Sequence, residues 1–179
     1  GVGKTLASSE FKKLGADVID CDVLAREVVM PGEECLLELT DAFGDILNPD
    51  GTLDRKLLSE IVFSDKKKLA ILSKITHKHI AKRVCDRIDK SCAEFIGIDG
   101  AVIFESPVEP LCEVMVSVIA ERDIRIGRII SRDKIERDIA VKRVDSQKNN
   151  EYYIEKSDYL VYNNTTEDEL KKQVREVWE

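Results

Sequence analysis

Apolar positions along this chain alternate between two rhythms. In LASSEFKKLG, Leu6, Phe11 and Leu14 fall on one helical face, and Gly15 supplies a C-terminal stop. ADVIDCD then changes to short strand character and ends in acidic residues, and VLAREVV starts a second helix that Pro31 and Gly32 close. From Glu33 to about Ala93 the three- and four-residue spacing predicts helices only. CLLELTDAFG stops at Gly44, LNPDGTLD reads as a turn, and RKLLSEIVF, KKLAILSKI and HKHIAKRVCDRIDKSC come next. Strand character returns in EFIGIDGAVIFE, which places Glu105 at a strand end, and again in EVMVSVIAE. Residues 122–149 are helical and basic, DYLVYNN is a last strand, and TTEDELKKQVREVWE a last helix. In that helix Thr166 and Glu169 have capping-box spacing, and Leu170, Val174 and Val177 form one apolar face.

Strands alternating with helices predict an α/β fold, a parallel sheet with helices on both faces. In such sheets ligands bind at the carboxyl edge of the strands. Asp20, Asp22, Glu105, Asn163 and Asn164 are expected there, together with the loop Gly1–Thr5 that precedes the first helix.

The length of 179 residues suits one domain with an inserted lobe. No apolar run is long enough to span a membrane, and no secretory signal is visible. The net charge of −7 argues against general nucleic-acid binding, yet Arg122 to Lys148 holds nine Lys/Arg against five Asp/Glu. Such a basic stretch in an acidic chain fits a local anionic ligand or a solvated helical face. The five cysteines are scattered, with no C-x-x-C pair, which suggests thiols in a reducing cytoplasm and no zinc site.

GVGKT matches the last part of G-x-x-x-x-G-K-[ST]. In that loop, backbone N–H groups and a helix N-terminus surround phosphates, the lysine pairs with phosphate oxygens, and the hydroxyl, here Thr5, can ligate Mg²⁺. An ordinary glycine turn before a helix is the alternative. Asp22 is placed to accept a proton from an attacking hydroxyl, or to cap a helix starting at Val23. Glu105 either orients Mg²⁺ through water or merely ends its strand. Arg125, Arg128 and Arg132 share one helical face, with Arg137 and Arg143 further along. Guanidinium groups suit the charge of phosphoryl transfer, and a hinged helical pair carrying them would be a lid. His77 and His79 point to different sides of a helix, so a metal pair there is not expected.

In order, GVGKT, LGADVIDCDVLAREVV, DGTLDRKLLSEIVF, ITHKHI, VIFES, SRDKIERDIAVKR and SDYLVYNN resemble the dephospho-CoA kinase family over essentially the whole chain. D-x-D followed by A-R-x-V-V is the most specific of these stretches. The resemblance implies a P-loop NTPase-type fold with a helical substrate-binding insertion and a helical lid. It would be one kinase domain, with core segments at about 1–32, 94–121 and 150–179, a substrate lobe at 33–93 and a lid at 122–149. It also implies a strand and the front of the loop ahead of Gly1, which this sequence lacks.

By the same resemblance the activity is ATP-dependent phosphorylation of the ribose 3′-hydroxyl of dephospho-CoA, with ATP and Mg²⁺ as cofactors, in the cytoplasm. No nucleic acid, membrane or obligate protein partner is implied. Gly1, Val2, Gly3, Lys4, Thr5 and Leu6 would hold ATP phosphates, with Thr5 on the metal. Asp22 resembles the general base, Arg132 the lid arginine, with Arg128 assisting, and Lys4 also acts in catalysis. Arg55, His77, Asp22 and Glu105 would meet the acceptor, and Asn163 would approach the adenine. The sequence departs from the family at Leu6, where a second threonine is usual, at Lys78 after the histidine and at Ala101, where proline is common. Two other readings stand beside this one: another small-molecule P-loop kinase, which D-x-D-x-x-A-R argues against, and a nucleotide- or CoA-binding module without catalysis.

Overall fold

The computed structural model describes residues 1–63 and 65–179. The first helix, α1 (Lys4–Leu14), starts after Gly3 and ends where Gly15 adopts a left-handed conformation, its N–H returning to carbonyls of the last turn. β1 (Asp17–Asp20) leads directly into α2 (Cys21–Glu27). The helical region after it resolves into α3 (Glu34–Phe43), α4 (Arg55–Phe63) and α5 (Lys66–Ile88). The segments KKLAILSKI and HKHIAKRVCDRI are one continuous helix. Asp65 caps its start, its carboxylate accepting from the N–H groups of Lys67 and Lys68, and neither Gly nor Pro occurs between Lys66 and Ile88 to break it.

β2 (Ile96–Asp99) and β3 (Val116–Ile119) are short. The basic region forms α6 (Arg122–Asp133) and α7 (Arg137–Asp145). A short helix, α8 (Asn150–Lys156), precedes β4 (Tyr159–Tyr162), and α9 (Glu167–Trp178) closes the described chain. Thr166 caps α9 by accepting from the Glu169 N–H, as the spacing predicts.

Parallel pairing is present between β3 and β4, in register from Val116 opposite Tyr159 to Ile119 opposite Tyr162. Among the described residues the strands assemble as two pairs, β1 with β2 and β3 with β4. One expectation is corrected. The strand expected to run to Glu105 stops at Asp99, and Ile103–Glu105 is a single 3-10 turn with Glu105 exposed. The segment folds closely on itself there: a Cβ on Gly100 would lie 2.8 Å from Cδ1 of Ile103.

The chain forms two compact units, residues 1–18, 93–97 and 111–179 in the first, and residues 19–92 and 98–110 in the second. In the first, α1 packs on α9 and on the β3–β4 pair around Ala7, Val161, Leu170 and Val174, all essentially buried. A charged pair crosses this helix contact: the carboxylate of Glu10, only 4% exposed, accepts from Arg175 Nε (3.0 Å) and Nη2 (2.8 Å). α6 and α7 close a second small core through Ile126, Ile129, Ala140 and Val144. In the second unit, Leu39, Ile46, Leu58, Val62 and Ile75 form the core between α3, α4 and α5. Glu33 and Glu34 on the α3 side pair with Arg83 and Lys82 of α5, and Glu38 with Lys78 and His79. Among the described residues no helix is long and apolar enough to cross a membrane.

Candidate functional site

In the first unit the decisive local feature is Gly3. Its φ of 96° lies in the region that favours glycine, and its carbonyl accepts the first α1 hydrogen bonds, from Leu6 N–H (3.0 Å) and Ala7 N–H (3.2 Å). No side chain caps α1 and no acid stands in its first turn. The partial positive charge of a helix N-terminus attracts anions. Lys4 and the exposed Thr5 are its first two residues.

Asn163 lies just past β4 and is 5% exposed. Its side-chain Nδ2 donates to the Val2 carbonyl at 2.8 Å, and a Cβ on Gly3 would stand 2.1 Å from the same nitrogen. Arg128 donates to Asn163 twice, to the backbone oxygen at 2.9 Å and to Oδ1 at 3.1 Å. The three arginines that spacing puts on one face of α6 thus have separate partners. Arg125 is buried and donates to Gln147 Oε1 (2.6 Å), Arg128 holds Asn163, and Arg132, largely exposed, grips its neighbour Asp133 with Nε (2.6 Å) and Nη2 (3.1 Å). Arg143 shares that carboxylate at 2.7 Å. Hydrogen bonding from Arg132, reinforced by Arg143, holds the Asp133 carboxyl below the usual range.

The second unit contains a cavity of about 430 Å³. Three residues singled out by the sequence line it: Asp22 from α2, Arg55 from the start of α4 and His77 from α5. Most of the remaining wall is apolar, including Leu39, Leu58, Val62 and Phe63. The cap of α2 is Asp20, whose Oδ1 accepts from the N–H groups of Asp22 (2.8 Å) and Val23 (3.2 Å). The capping alternative for Asp22 is thereby removed, and its side chain faces the cavity from the first helical turn. His77 and His79 do diverge: His77 lines the cavity and His79 meets Glu38 at 2.8 Å.

Glu105 is absent from this wall. Its neighbours Ala101, Val102, Ile103 and Ser106 line the cavity instead. Sequence reading missed them, although the glycine in GIDGA carried the signal. It also missed Phe63, whose aromatic side chain is 78% exposed at the cavity wall.

The dephospho-CoA kinase family profile (CoaE) matches residues 1–169. The chain belongs to the dephospho-CoA kinase family. The dephospho-CoA kinase of Idiomarina loihiensis is 30% identical over 178 residues, covering 99% of this chain and 88% of that protein. That of Fusobacterium nucleatum is 36% identical over 174 residues, covering 97% and 87%. Among solved structures, TT1252 from Thermus thermophilus superposes with a TM-score of 0.84 at 22% identity, covering 99% of this chain and 91% of that one, a likeness of fold. Dephospho-CoA kinase from Campylobacter jejuni gives 0.61 at 26% identity, with the same coverage. The fold is thus α/β, as the alternation of strands and helices predicts, and of the P-loop NTPase type that the family resemblance implies.

Proposed function

We propose that this chain transfers the γ-phosphoryl group of ATP to the ribose 3′-hydroxyl of dephospho-CoA, giving coenzyme A and ADP, the last step of coenzyme A biosynthesis. The observation that carries the assignment of residues is the cavity that gathers Asp22, Arg55 and His77 in an otherwise apolar wall. An apolar enclosure with a few polar groups suits an acceptor that joins a phosphorylated nucleoside to a long pantetheine arm.

In this reading ATP binds at the Gly3–Lys4–Thr5 helix start, where main-chain N–H groups and the Lys4 ammonium meet the β- and γ-phosphates. Asp22 accepts the proton of the 3′-hydroxyl as its oxygen attacks phosphorus, and the bond from phosphorus to the ADP oxygen breaks. Arg55 and His77 orient the acceptor. Arg132 exchanges Asp133 for the migrating phosphoryl group, whose charge a guanidinium matches through two hydrogen bonds. Glu105 lies in a 3-10 turn and is not among the residues that line the cavity. Among the described residues no group of three His, Cys, Asp or Glu side chains could hold a metal by itself. Thr5, with its exposed hydroxyl, would help hold Mg²⁺ that arrives with ATP. Bound there, the ion would neutralise charge on the phosphates. The reading keeps one kinase domain, with 33–93 as the acceptor lobe and 122–149 as the lid, in a reducing cytoplasm.

The test is ADP release from Mg-ATP with dephospho-CoA, AMP or adenosine as acceptor. Turnover with dephospho-CoA alone is expected. Turnover with AMP instead would make it a nucleotide kinase, and nucleotide binding without turnover on any acceptor would leave a binding module.

A further inference from the structure

Asn163 is held at four points within the first unit. Its backbone N–H donates to the Ile119 carbonyl at the end of β3 (2.8 Å), and its backbone oxygen and Oδ1 both accept from Arg128. Its Nδ2 donates to Val2 of the phosphate loop. The direction of the amide is not arbitrary. A guanidinium has donors only and a carbonyl accepts only. Turning the amide over would set Nδ2 against Arg128 and Oδ1 against the Val2 oxygen, two repulsions in place of two hydrogen bonds. Arg128 and the Val2 carbonyl thus fix the same end of Asn163 toward the loop, and Arg128 holds the amide from the other side. The loop has no slack at this point, since Gly3 could carry no side chain without striking Nδ2. α6 touches the loop a second time at Gly1, where an added Cβ would lie 3.0 Å from the Arg125 carbonyl and 3.2 Å from Cγ1 of Ile129.

We propose that Arg128 is a positioning residue that sets the phosphate-loop conformation through the Asn163 amide, so that α6 braces the loop for nucleotide binding. Arg128 touches no reacting atom. It acts through Asn163 on the Val2–Gly3 peptide, and from there on the first turn of α1. The role of the loop as a nucleotide site rests on the function proposed above.

The experiment compares wild type with Arg128→Ala, Arg128→Lys, Asn163→Ala, Asn163→Asp and the Arg128→Ala/Asn163→Ala pair. Two readouts are taken: ADP affinity by calorimetry, and hydrogen exchange of the Leu6 and Ala7 amides in the nucleotide-free protein. Losing a hydrogen bond to a charged group corresponds to a loss of roughly tenfold or more in affinity. Arg128→Ala is expected to weaken ADP binding by about that factor and to speed exchange at Leu6 and Ala7, with the Val174 amide of α9 unchanged. Lysine, with no planar fork, is expected to rescue only part of the loss. Asn163→Asp is the sharpest variant. It keeps, and charges, the partner of Arg128 but loses the donor to Val2 and sets an oxygen against that carbonyl, so ADP affinity is expected to fall and exchange at Leu6 and Ala7 to speed. The paired variant should bind ADP no worse than the poorer single variant.

Unchanged ADP affinity and unchanged Leu6 and Ala7 exchange in folded Arg128→Ala would overturn the proposal, as would full additivity in the pair. If Arg128→Ala does not fold, Asn163→Asp decides on the same two readouts. Should wild type fail to bind ADP, the nucleotide reading falls, and the exchange measurement still judges the brace.

Discussion

Asp20 holds the main chain of Asp22: its Oδ1 accepts the Asp22 N–H at 2.8 Å and caps α2. The two acids of D-C-D thus divide their work, the first serving the helix and the second facing the cavity. Asp22→Asn is expected to lower kcat by about 10²–10⁴-fold with the KM for ATP little changed, the signature of a lost general base. Asp20→Ala is expected to cost about 1 kcal/mol of stability through the lost cap. Steady-state kinetics with both substrates varied, and thermal melts, check the pair. An equal loss of ATP binding and turnover in Asp22→Asn would remove the base assignment.

Gly3→Ala combines a left-handed backbone with a Cβ 2.1 Å from Asn163 Nδ2. Strain of this kind costs roughly 1–3 kcal/mol, and the loop or Asn163 must also move. The variant is expected to melt lower than wild type and to bind ADP poorly. Gly15→Ala makes the control, because it has a positive φ but open space around it. Its destabilisation is expected without any loss of nucleotide affinity. Equal ADP affinities in the two variants would contradict the crowding argument.

Glu10 ties α1 to α9 and makes stability depend on pH. Hydrogen bonding from Arg175, and secondarily from Lys13, holds its carboxyl below the usual value of 4.5. The folded state therefore keeps the charge to lower pH than the unfolded chain does. The contribution is fully present above about pH 4.5 and is lost as pH falls through the depressed folded value. Glu10→Gln is expected to lower the melting temperature at pH 7 and to show a flatter decline below pH 4.5. Identical pH profiles for the two proteins would show that the pair adds nothing.

Burial pushes the Cys35 thiol up to about 11, with the negative charge of Glu38 adding to it. At 1% exposure it is sealed in the core of the second unit, whereas Cys85 and Cys92 are exposed. Alkylation of the native protein at pH 7.5, read by peptide mass spectrometry, is expected to modify Cys85 and Cys92 quickly and Cys35 only after unfolding. Rapid labelling of Cys35 in folded protein would mean that α3 opens readily.

Periodicity and short motifs were enough for the elements themselves. Gly15 and Gly44 end helices where the sequence puts the stops, Thr166 caps α9, and the lysine of GKT opens α1. Each of these depends on hydrogen bonds between residues three or four apart, so the causes lie next to one another in the chain. The cavity residues Asp22, Arg55 and His77 were also legible, as members of family motifs, although their shared wall was not.

What the tertiary structure decided are relations between distant residues. Asn163 meets Val2 across 161 positions, and no spacing rule links them. Arg125, Arg128 and Arg132 are equivalent by helical geometry, yet their partners Gln147, Asn163 and Asp133 give one a buried role, one a bracing role and one an exposed pair. Glu105 reads from the sequence as a strand-end acid, but β2 ends at Asp99 and Glu105 falls in a 3-10 turn. Local hydrogen bonding and hydrophobic period determine where helices and strands form. Side-chain function is settled by what packing brings near, and the linear order of residues does not contain that information in local form.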